Sequence, residues 1–187
     1  MMDLGNARAW TRELWDRLPA EGGKVIDATV GNGYDTLYLA GRVGETGLVY
    51  GFDVQREALD ATRERLSGAG MLDRCRLILD SHENVDIYVS EPVDGVVFNL
   101  GWLPGAEHAV TTHAESTLKA VGKCLALLKK GGLMTICVYP GHPEGEKEKN
   151  ALLEWASALD DSVFDARITA YLNINKRPPL LIAITRR

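Results

Sequence analysis

A glycine-containing loop and an acidic residue about 20 positions further on could together hold a nucleoside. The loop is Asp27-Ala28-Thr29-Val30-Gly31-Asn32-Gly33, where a short apolar stretch gives way to a helical pattern. Glycine at such a turn lets the backbone approach a ligand closely and adopt dihedral angles that a side chain disfavours. The acidic residue is Asp53, where a carboxylate can accept hydrogen bonds from both hydroxyls of a ribose. We predict an adenine nucleoside site that includes Asp27, Thr29, Gly31, Asn32, Gly33 and Asp53.

The residues after this loop favour S-adenosylmethionine over a dinucleotide. The dinucleotide fingerprint has a third glycine where Thr36 stands, and its helix N-terminus holds a pyrophosphate. Asp35 places a negative charge near that terminus, which would repel a diphosphate but tolerate a sulfonium and an ammonium. Together with Asp27, it leads us to expect S-adenosylmethionine as the cofactor.

Further polar residues follow the second and third predicted strands. Gln55 could hold the ribose or the adenine edge, or it could cap the next helix. Asp80-Ser81-His82 follows the third strand, where Ser81 and His82 are equally consistent with adenine contacts and with an ordinary polar loop.

A second motif, Asn99-Leu100-Gly101-Trp102-Leu103-Pro104-Gly105, could position an amine that accepts a methyl group. Methyltransferases that modify amines often carry Asn or Asp, two prolines and an aromatic residue here, with the Asn carbonyl accepting a hydrogen bond from the amine. Asn99 and Trp102 match this pattern, whereas Leu100-Gly101 replaces the prolines. Three other polar residues could face the same crevice or be structural, and these are His108, Tyr139 and His142.

Alternating strands and helices must position these residues. Apolar stretches of strand length cover residues 24–28, 48–53, 75–79, 95–99, 133–139, 168–172 and 180–184. Between them, apolar residues at steps of three and four predict amphipathic helices within residues 6–18, 36–40, 59–66, 114–128 and 152–159. Gly131-Gly132 is the predicted stop of the helix over 114–128. This alternation predicts a parallel sheet covered by helices on both faces.

The last two strands depart from that rhythm. Only Asn173 to Pro179 join residues 168–172 to residues 180–184, which is too short for a helical crossover, so the two strands must form an antiparallel hairpin. Such a hairpin is characteristic of the class I methyltransferase sheet and unexpected in a nicotinamide-binding domain. The predicted fold is therefore α/β and Rossmann-like, with a mostly parallel sheet of seven strands.

The composition fits one globular domain over residues 1–187. The chain is 45% hydrophobic and 25% charged, and its apolar stretches are far shorter than the roughly 20 residues of a membrane-spanning helix. No secretory pattern opens the sequence, so we expect a cytoplasmic protein without membrane contact. Its three cysteines are widely separated, which favours reduced core residues over a disulfide framework or a structural metal.

The net charge of −5 does not attract nucleic acid, so an RNA substrate needs a local basic patch. The candidate pairs, which are equally typical of solvated surface, are Lys129-Lys130, Lys176-Arg177 and Arg186-Arg187. Tryptophans on the predicted helices could form a homodimer surface, although packing on the sheet explains them equally well. These are Trp10, Trp15 and Trp155.

Four segments, in order along nearly the whole chain, resemble a known family of small bacterial methyltransferases described as putative rRNA methylases. They are residues 27–36, 99–105, Tyr139-Pro140-Gly141-His142-Pro143-Glu144-Gly145 and 178–184. The sequence departs from the family where Tyr34, Trp102 and Ala106 stand, since the family often has His, Tyr and Gly at these positions. The first two changes keep an aromatic side chain and the third keeps a small one.

The resemblance implies a specific reaction. Members of the family are understood as tRNA methyltransferases that convert 5-aminomethyl-2-thiouridine at the wobble position to its methylaminomethyl form. It implies transfer of a methyl group from S-adenosylmethionine to a primary alkylamine in the anticodon region of tRNA. Asn99 would orient the amine, Trp102 would stack on the base, and His142 or solvent would take the proton. Leu103 and Pro104 belong to the same substrate loop.

Two alternatives stay open at this stage. The first keeps the chemistry and changes the acceptor to ribosomal RNA or a small-molecule amine. The second is a nucleotide-binding or NAD-linked protein without methyl transfer, against which Thr36 and the terminal hairpin both count.

Overall fold

The computed structural model describes residues 4–101 and 112–187, and in this part of the chain seven strands form one sheet in the order β3-β2-β1-β4-β5-β7-β6. The strands are β1 (Lys24–Asp27), β2 (Leu48–Asp53), β3 (Cys75–Leu79), β4 (Val93–Asn99), β5 (Leu128–Val138), β6 (Phe164–Thr169) and β7 (Leu180–Arg186). Neighbours from β3 to β5 are parallel, whereas β7 is antiparallel to both β5 and β6. The predicted fold is thereby confirmed, including the C-terminal hairpin.

Helices cover both faces of the sheet. They are α1 (Ala7–Arg17), α2 (Tyr34–Val43), α3 (Arg56–Gly68), α4 (Val85–Tyr88), α5 (Ala114–Leu127) and α6 (Pro143–Ser157). Successive side chains of a strand point to opposite faces, and β4 therefore serves two cores. Val97 packs with residues of α1, α2 and α3, whereas Val96 and Phe98 pack with residues of α4, α5 and α6.

The structure differs from the sequence-based prediction at two strands. β5 begins at Leu128, five residues before the predicted start, because the helix ends at Leu127 and the chain turns extended at once. The predicted glycine stop falls inside this irregular start of the strand, where Gly131 has φ 75°. β6 lies earlier than predicted because it is an edge strand with a mostly exposed surface, so it lacks the apolar pattern that marks the other strands.

Trp15 is buried with 1% of its surface exposed, so the expectation that it is available for a dimer surface is wrong. Its indole packs against one face of the sheet, and its Nε1 donates a hydrogen bond to Thr135 Oγ1 at 2.9 Å. Trp10 and Trp155 are partly buried, and Trp10 stacks against Tyr171 with the ring centroids 5.4 Å apart.

The three cysteines are free, with Cys124 and Cys137 buried and Cys75 partly buried. Over residues 4–101 and 112–187, no helix has both the length and the apolar character needed to cross a membrane. Within those same ranges, no three His, Cys, Asp or Glu side chains gather closely enough to hold a metal ion.

Candidate active site

A cleft of about 1330 Å³ opens at the carboxyl edge of the parallel strands. The chain order reverses here, because β1 is flanked by β2 on one side and by β4 on the other, and ligands bind at such switch points. Most of the predicted site residues meet in this cleft. Those that line it are Thr29, Gly31, Asn32, Asp53, Gln55, Ser81, His82, Asn99 and Tyr139.

Asp27 lies beneath the cleft and supports its floor. The carboxylate is 1% exposed and accepts hydrogen bonds from Thr36 Oγ1 at 2.6 Å and from the Thr29 backbone N–H at 3.1 Å. Burial raises the pKa of Asp27 to about 7, and the nearby Asp35 carboxylate pushes it in the same direction. Thr36, which stands where a dinucleotide site has glycine, thus holds Asp27. Direct contact between Asp27 and the cofactor stays a prediction.

The glycine loop is held from α3. Gly31 and Gly33 have φ of 52° and 74°, the left-handed region that favours glycine. Gly33 is the N-cap of α2 and is not among the residues that line the cleft, and a side chain there would overlap Thr62 of α3. Thr62 Oγ1 donates to the Gly31 carbonyl at 3.1 Å, and Arg65 Nε donates to the Asn32 carbonyl at 2.8 Å. The loop backbone is therefore fixed at the cleft wall before any ligand binds.

Asp53 is oriented by two backbone donors. One carboxylate oxygen accepts from the Gly31 N–H at 2.8 Å and the other from the Gln55 N–H at 2.9 Å. Burial raises the pKa of Asp53, while these hydrogen bonds oppose the rise. Each oxygen has a second lone pair, so the fixed carboxylate can still accept from a ligand hydroxyl. The side chain of Gln55 makes no capping hydrogen bond at the start of α3 and lines the cleft instead.

His82 brings a neutral imidazole to the cleft. Nδ1 lies 3.1 Å from the Ala28 carbonyl, which can only accept, so Nδ1 carries the proton. Burial lowers the pKa of His82, which favours the neutral ring. Nε2 is then an acceptor, and it is buried with no hydrogen-bond partner among the described residues. His82 is the first residue of a short 3₁₀ helix, His82–Asn84. Ser81 is the N-cap of this helix, and its Oγ accepts a hydrogen bond from the Glu83 N–H at 3.3 Å.

Asn99, at the end of β4, is held from two sides. Its backbone N–H donates to Thr29 Oγ1 at 2.7 Å, and its side-chain Nδ2 donates to Asp35 Oδ2 at 3.1 Å. Asp35 lies in the first turn of α2, and its other carboxylate oxygen is 3.6 Å from Arg8 Nη2. Thr29, Asp35, Arg8 and Asn99 all line the cleft. The glycine loop and the acceptor motif, which are about 70 residues apart in sequence, thus form one site.

Tyr139 lines the cleft, whereas His142 is not among the residues described there. Burial raises the pKa of Tyr139 to about 12, so the phenol keeps its proton at neutral pH. His142 begins α6, where its Nδ1 accepts a hydrogen bond from the Gly145 N–H at 3.1 Å. The structure gives His142 a helix-capping contact, and its predicted role as proton acceptor stays a prediction.

Four predicted substrate residues, Trp102, Leu103, Pro104 and His108, lie outside the described residues. The described residues on either side of this stretch, Gly101 and Thr112, form two hydrogen bonds with each other, at 3.0 and 3.1 Å. Thr112 also donates to Glu148, a buried carboxylate of α6 that accepts from Thr117 as well. Burial raises the pKa of Glu148.

The sequence does not predict that Arg8 lines the cleft or that Glu148 holds Thr112 beside it. Arg8 lies on a helix whose pattern indicates only amphipathic packing, and Glu148 precedes the helical pattern at residues 152–159. The charge of Asp35 favours a cationic ligand, but nothing in the sequence links Asp35 to Asn99. The signal that the sequence does carry is a carboxylate one residue before Thr36.

The charge of the cleft is predominantly negative. Among the described residues that line the cleft, two are arginine or lysine, Arg8 and Lys119, and five are aspartate or glutamate. The carboxylates are Asp35, Asp53, Asp80, Glu83 and Glu115. Such a surface accommodates a cationic ligand and disfavours a diphosphate.

The sequence of this chain is similar to a described protein family and to individual methyltransferases. The chain matches the family described as "Putative rRNA methylase" over residues 49–185. It is 35% identical, over 156 residues, to a protein of Arabidopsis thaliana described as a chloroplastic tRNA (mnm⁵s²U34)-methyltransferase. The match covers 78% of this chain and 57% of that relative, so this chain spans little more than half of the relative's length.

Two solved structures agree closely with the fold. A crystal structure of a putative rRNA methylase from Clostridium thermocellum has a TM-score of 0.97 and 38% identity, with both chains covered completely. A putative methyltransferase from Streptococcus mutans, solved in complex with SAH, has a TM-score of 0.90 and 35% identity. That match covers 99% of this chain and 100% of the other.

Proposed function

Because the chain belongs to the rRNA methylase family matched over residues 49–185, we propose that it is an S-adenosylmethionine-dependent N-methyltransferase that acts on RNA. We propose further that its acceptor is the aminomethyl group of 5-aminomethyl-2-thiouridine at the tRNA wobble position. The Arabidopsis relative supports this acceptor. The observation that carries the proposal is the joining of the glycine loop, Asp53 and Asn99 in one cleft at the switch point of the sheet.

The chemistry of the cleft fits S-adenosylmethionine. Asp53 would accept from the ribose hydroxyls, and Gly31 and Asn32 would lie along the nucleoside. His82 Nε2, a buried acceptor that lacks a partner among the described residues, could take a hydrogen bond from a ligand donor such as an exocyclic amine. The carboxylates favour a ligand that carries a sulfonium and an ammonium. When bound, this cofactor supplies an electrophilic methyl group on its sulfonium sulfur.

Asn99 is the residue that would orient the acceptor. With Nδ2 donating to Asp35, the carbonyl oxygen of the side chain is the atom available to accept a hydrogen bond from an amine N–H. That contact would aim the nitrogen lone pair at the methyl carbon. In the transfer, a nitrogen–carbon bond forms, the carbon–sulfur bond breaks with its electrons going to sulfur, and the amine gives up one proton.

Positioning and loss of solvent would carry most of the rate. The leaving sulfur becomes an uncharged thioether, so it needs no acid catalyst. An alkylamine is mostly protonated in neutral water, and the site must therefore bind or generate the neutral form. The lost proton would go to His142 or to solvent, and in this structure Nδ1 of His142 accepts a hydrogen bond from the Gly145 N–H.

Nucleoside mass spectrometry tests the proposed acceptor. Total tRNA and ribosomal RNA from cells that lack this gene would be incubated separately with the purified protein and isotopically labelled S-adenosylmethionine. We expect label in 5-methylaminomethyl-2-thiouridine from tRNA. Label found only in ribosomal RNA would overturn the acceptor and keep the methyltransferase.

Substitution of Asn99 tests its role in the same reaction. We expect Asn99→Ala to lower the single-turnover rate of methyl transfer by about 10- to 100-fold, because the amine loses its oriented hydrogen bond. Binding of S-adenosylhomocysteine should change little. An unchanged rate would show that Asn99 does not orient the amine.

Ribosomal RNA is the second candidate acceptor, and the description of the matched family favours it.

A further inference from the structure

We propose that Asp35 is a positioning residue that fixes the direction of the Asn99 side-chain amide for methyl transfer. The inference rests on the proposed function, in which Asn99 receives the acceptor amine. It begins from one contact, in which Asn99 Nδ2 lies 3.1 Å from Asp35 Oδ2.

A side-chain amide has a donor end and an acceptor end, and the carboxylate decides which end faces which way. A carboxylate oxygen can only accept, so the NH₂ group of Asn99 must face Asp35. The opposite orientation would bring the amide oxygen about 3 Å from a carboxylate oxygen, and the two would repel. The Asn99 carbonyl oxygen is thereby turned away from Asp35, where it can accept from an amine in the cleft.

Asp35 is itself held in place on both sides. Its Oδ1 lies 3.6 Å from Arg8 Nη2, while Oδ2 receives the Asn99 amide. The residue lies in the first turn of α2, where the helix dipole stabilises a negative side chain. Its side chain is 23% exposed, so it is partly shielded from water without being buried. A carboxylate held in this way can impose a direction on its partner.

The backbone of Asn99 is held by contacts that do not involve Asp35. Its N–H donates to Thr29 Oγ1 at 2.7 Å, and β4 pairs with β5 through Asn99 and Cys137. Removing the Asp35 carboxylate should therefore leave the strand in place and free only the side-chain amide to rotate. This separates a positioning role from a role in folding.

A double-mutant cycle tests the inference in single-turnover methyl transfer at saturating S-adenosylmethionine. The variants are Asp35→Ala, Asn99→Ala and the double substitution. We expect Asp35→Ala alone to slow transfer by about 10-fold or more, because a randomly directed amide orients the amine poorly. In the Asn99→Ala background, Asp35→Ala should change the rate by less than about twofold, since it then has no partner to direct. Effects that multiply would overturn the inference and indicate that Asp35 acts on the substrate directly.

Two further variants complete the test. Asp35→Asn can present either an acceptor or a donor to Asn99, so it should recover only part of the rate lost in Asp35→Ala. Asp60→Ala, which removes an exposed carboxylate of α3 paired with Arg63, should behave as wild type. Affinity for S-adenosylhomocysteine, whose ammonium the cleft carboxylates attract, should fall by a smaller factor in the Asp35 variants than the saturated rate does. A larger loss of affinity with an unchanged saturated rate would overturn the inference.

The outcomes separate the two proposals. If the wild-type protein transfers no methyl group to RNA, the proposed function fails and the inference falls with it. If the wild-type protein transfers and the two substitutions act independently, the inference alone fails.

Discussion

Asp27 stands apart from the other carboxylates of the cleft because it is fully enclosed by the floor of the site. Thr36 and Thr29 donate to its oxygens, while the neighbouring Asp35 and Asp53 carboxylates disfavour a further negative charge. Burial therefore dominates, and the pKa of Asp27 rises to about 7. A carboxylate that holds its proton near neutral pH links the stability of the glycine loop to pH.

The first prediction concerns Asp27→Asn and the pH dependence of stability. Between the ordinary pKa of 3.8 and about 7, the folded protein keeps a proton that the unfolded chain has released. The contribution of Asp27 to the free energy of unfolding therefore falls as pH rises through this window. Asparagine cannot ionise, so Asp27→Asn should lose this decline and gain stability relative to wild type by as much as about 4 kcal/mol at pH 8 compared with pH 4.

Urea unfolding of the cofactor-free proteins at several pH values between 4 and 8 measures this difference. Asp161→Asn, at an exposed position, is the matched control and should follow the wild type at each pH. A constant difference between Asp27→Asn and wild type across this range would contradict the prediction.

Residue types revealed the cofactor side of the site more readily than the acceptor side. The positive φ angles of Gly31 and Gly33 and the nearness of Asp53 to Gly31 could be predicted. Glycine is favoured in such a turn, and the ends of adjacent parallel strands lie side by side. The contact between Asp35 and Asn99 could not be predicted, since it joins two residues 64 positions apart through side-chain geometry. The Nδ1 atom of His142 caps a helix, which the sequence does not reveal, and the proton-acceptor role of His142 stays a prediction.

At the scale of elements, α1 is fastened to the sheet by Trp15. The indole ring lies against Gly95 of β4, where a side chain would overlap it. Its Nε1 donates to Thr135 of β5, which is fully buried. Helix α1 also carries Arg8, which faces Asp35 in the cleft. The packing of this helix therefore bears on the site as well as on stability.

The second prediction concerns Trp15→Phe, which keeps an aromatic ring and removes the indole donor. We expect it to lower the free energy of unfolding by about 2 kcal/mol, because the Thr135 hydroxyl is left buried without its partner and the smaller ring leaves space. Adding Thr135→Val should recover part of the loss by removing the unpaired hydroxyl. Urea unfolding of both variants and of Thr135→Val measures these energies. A double variant less stable than Trp15→Phe would contradict the explanation.

The elements that the sequence revealed are those with buried faces. Strands β1 and β2 and helix α5 follow their apolar patterns to within a residue or so, because their burial sets the pattern. β6 is exposed on most of its length, and no hydrophobic period marks its bounds. The hairpin was nevertheless predictable, because the length of the connection excludes a crossover.

At the scale of the whole molecule, an acidic protein that acts on RNA, as proposed, needs a local basic surface to bind it. The connection between β6 and β7 is a suitable place, because Leu180 pairs with Val138 at the carboxyl end of β5. Lys176 and Arg177 in this connection therefore lie at the same edge of the sheet as the cleft. Lys130 lies near the start of β5, at the opposite edge. Both Lys176 and Lys130 are exposed, so they form a matched pair.

The last prediction uses this pair and the effect of salt. Phosphate contacts release counterions, so the affinity for tRNA should fall steadily between about 50 and 200 mM salt, whereas the affinity for a small amine acceptor should stay nearly constant. We expect Lys176→Glu to weaken tRNA binding and to reduce the salt dependence, because one phosphate contact is lost and repulsion is added. Lys130→Glu changes the net charge equally but lies away from the cleft, so it should have a much smaller effect.

Titrations of fluorescently labelled tRNA at each salt concentration, with S-adenosylhomocysteine binding as the control for folding, measure both variants. Equal losses in the two variants would mean that net charge alone governs RNA binding, and unchanged binding in both would place the RNA on another surface.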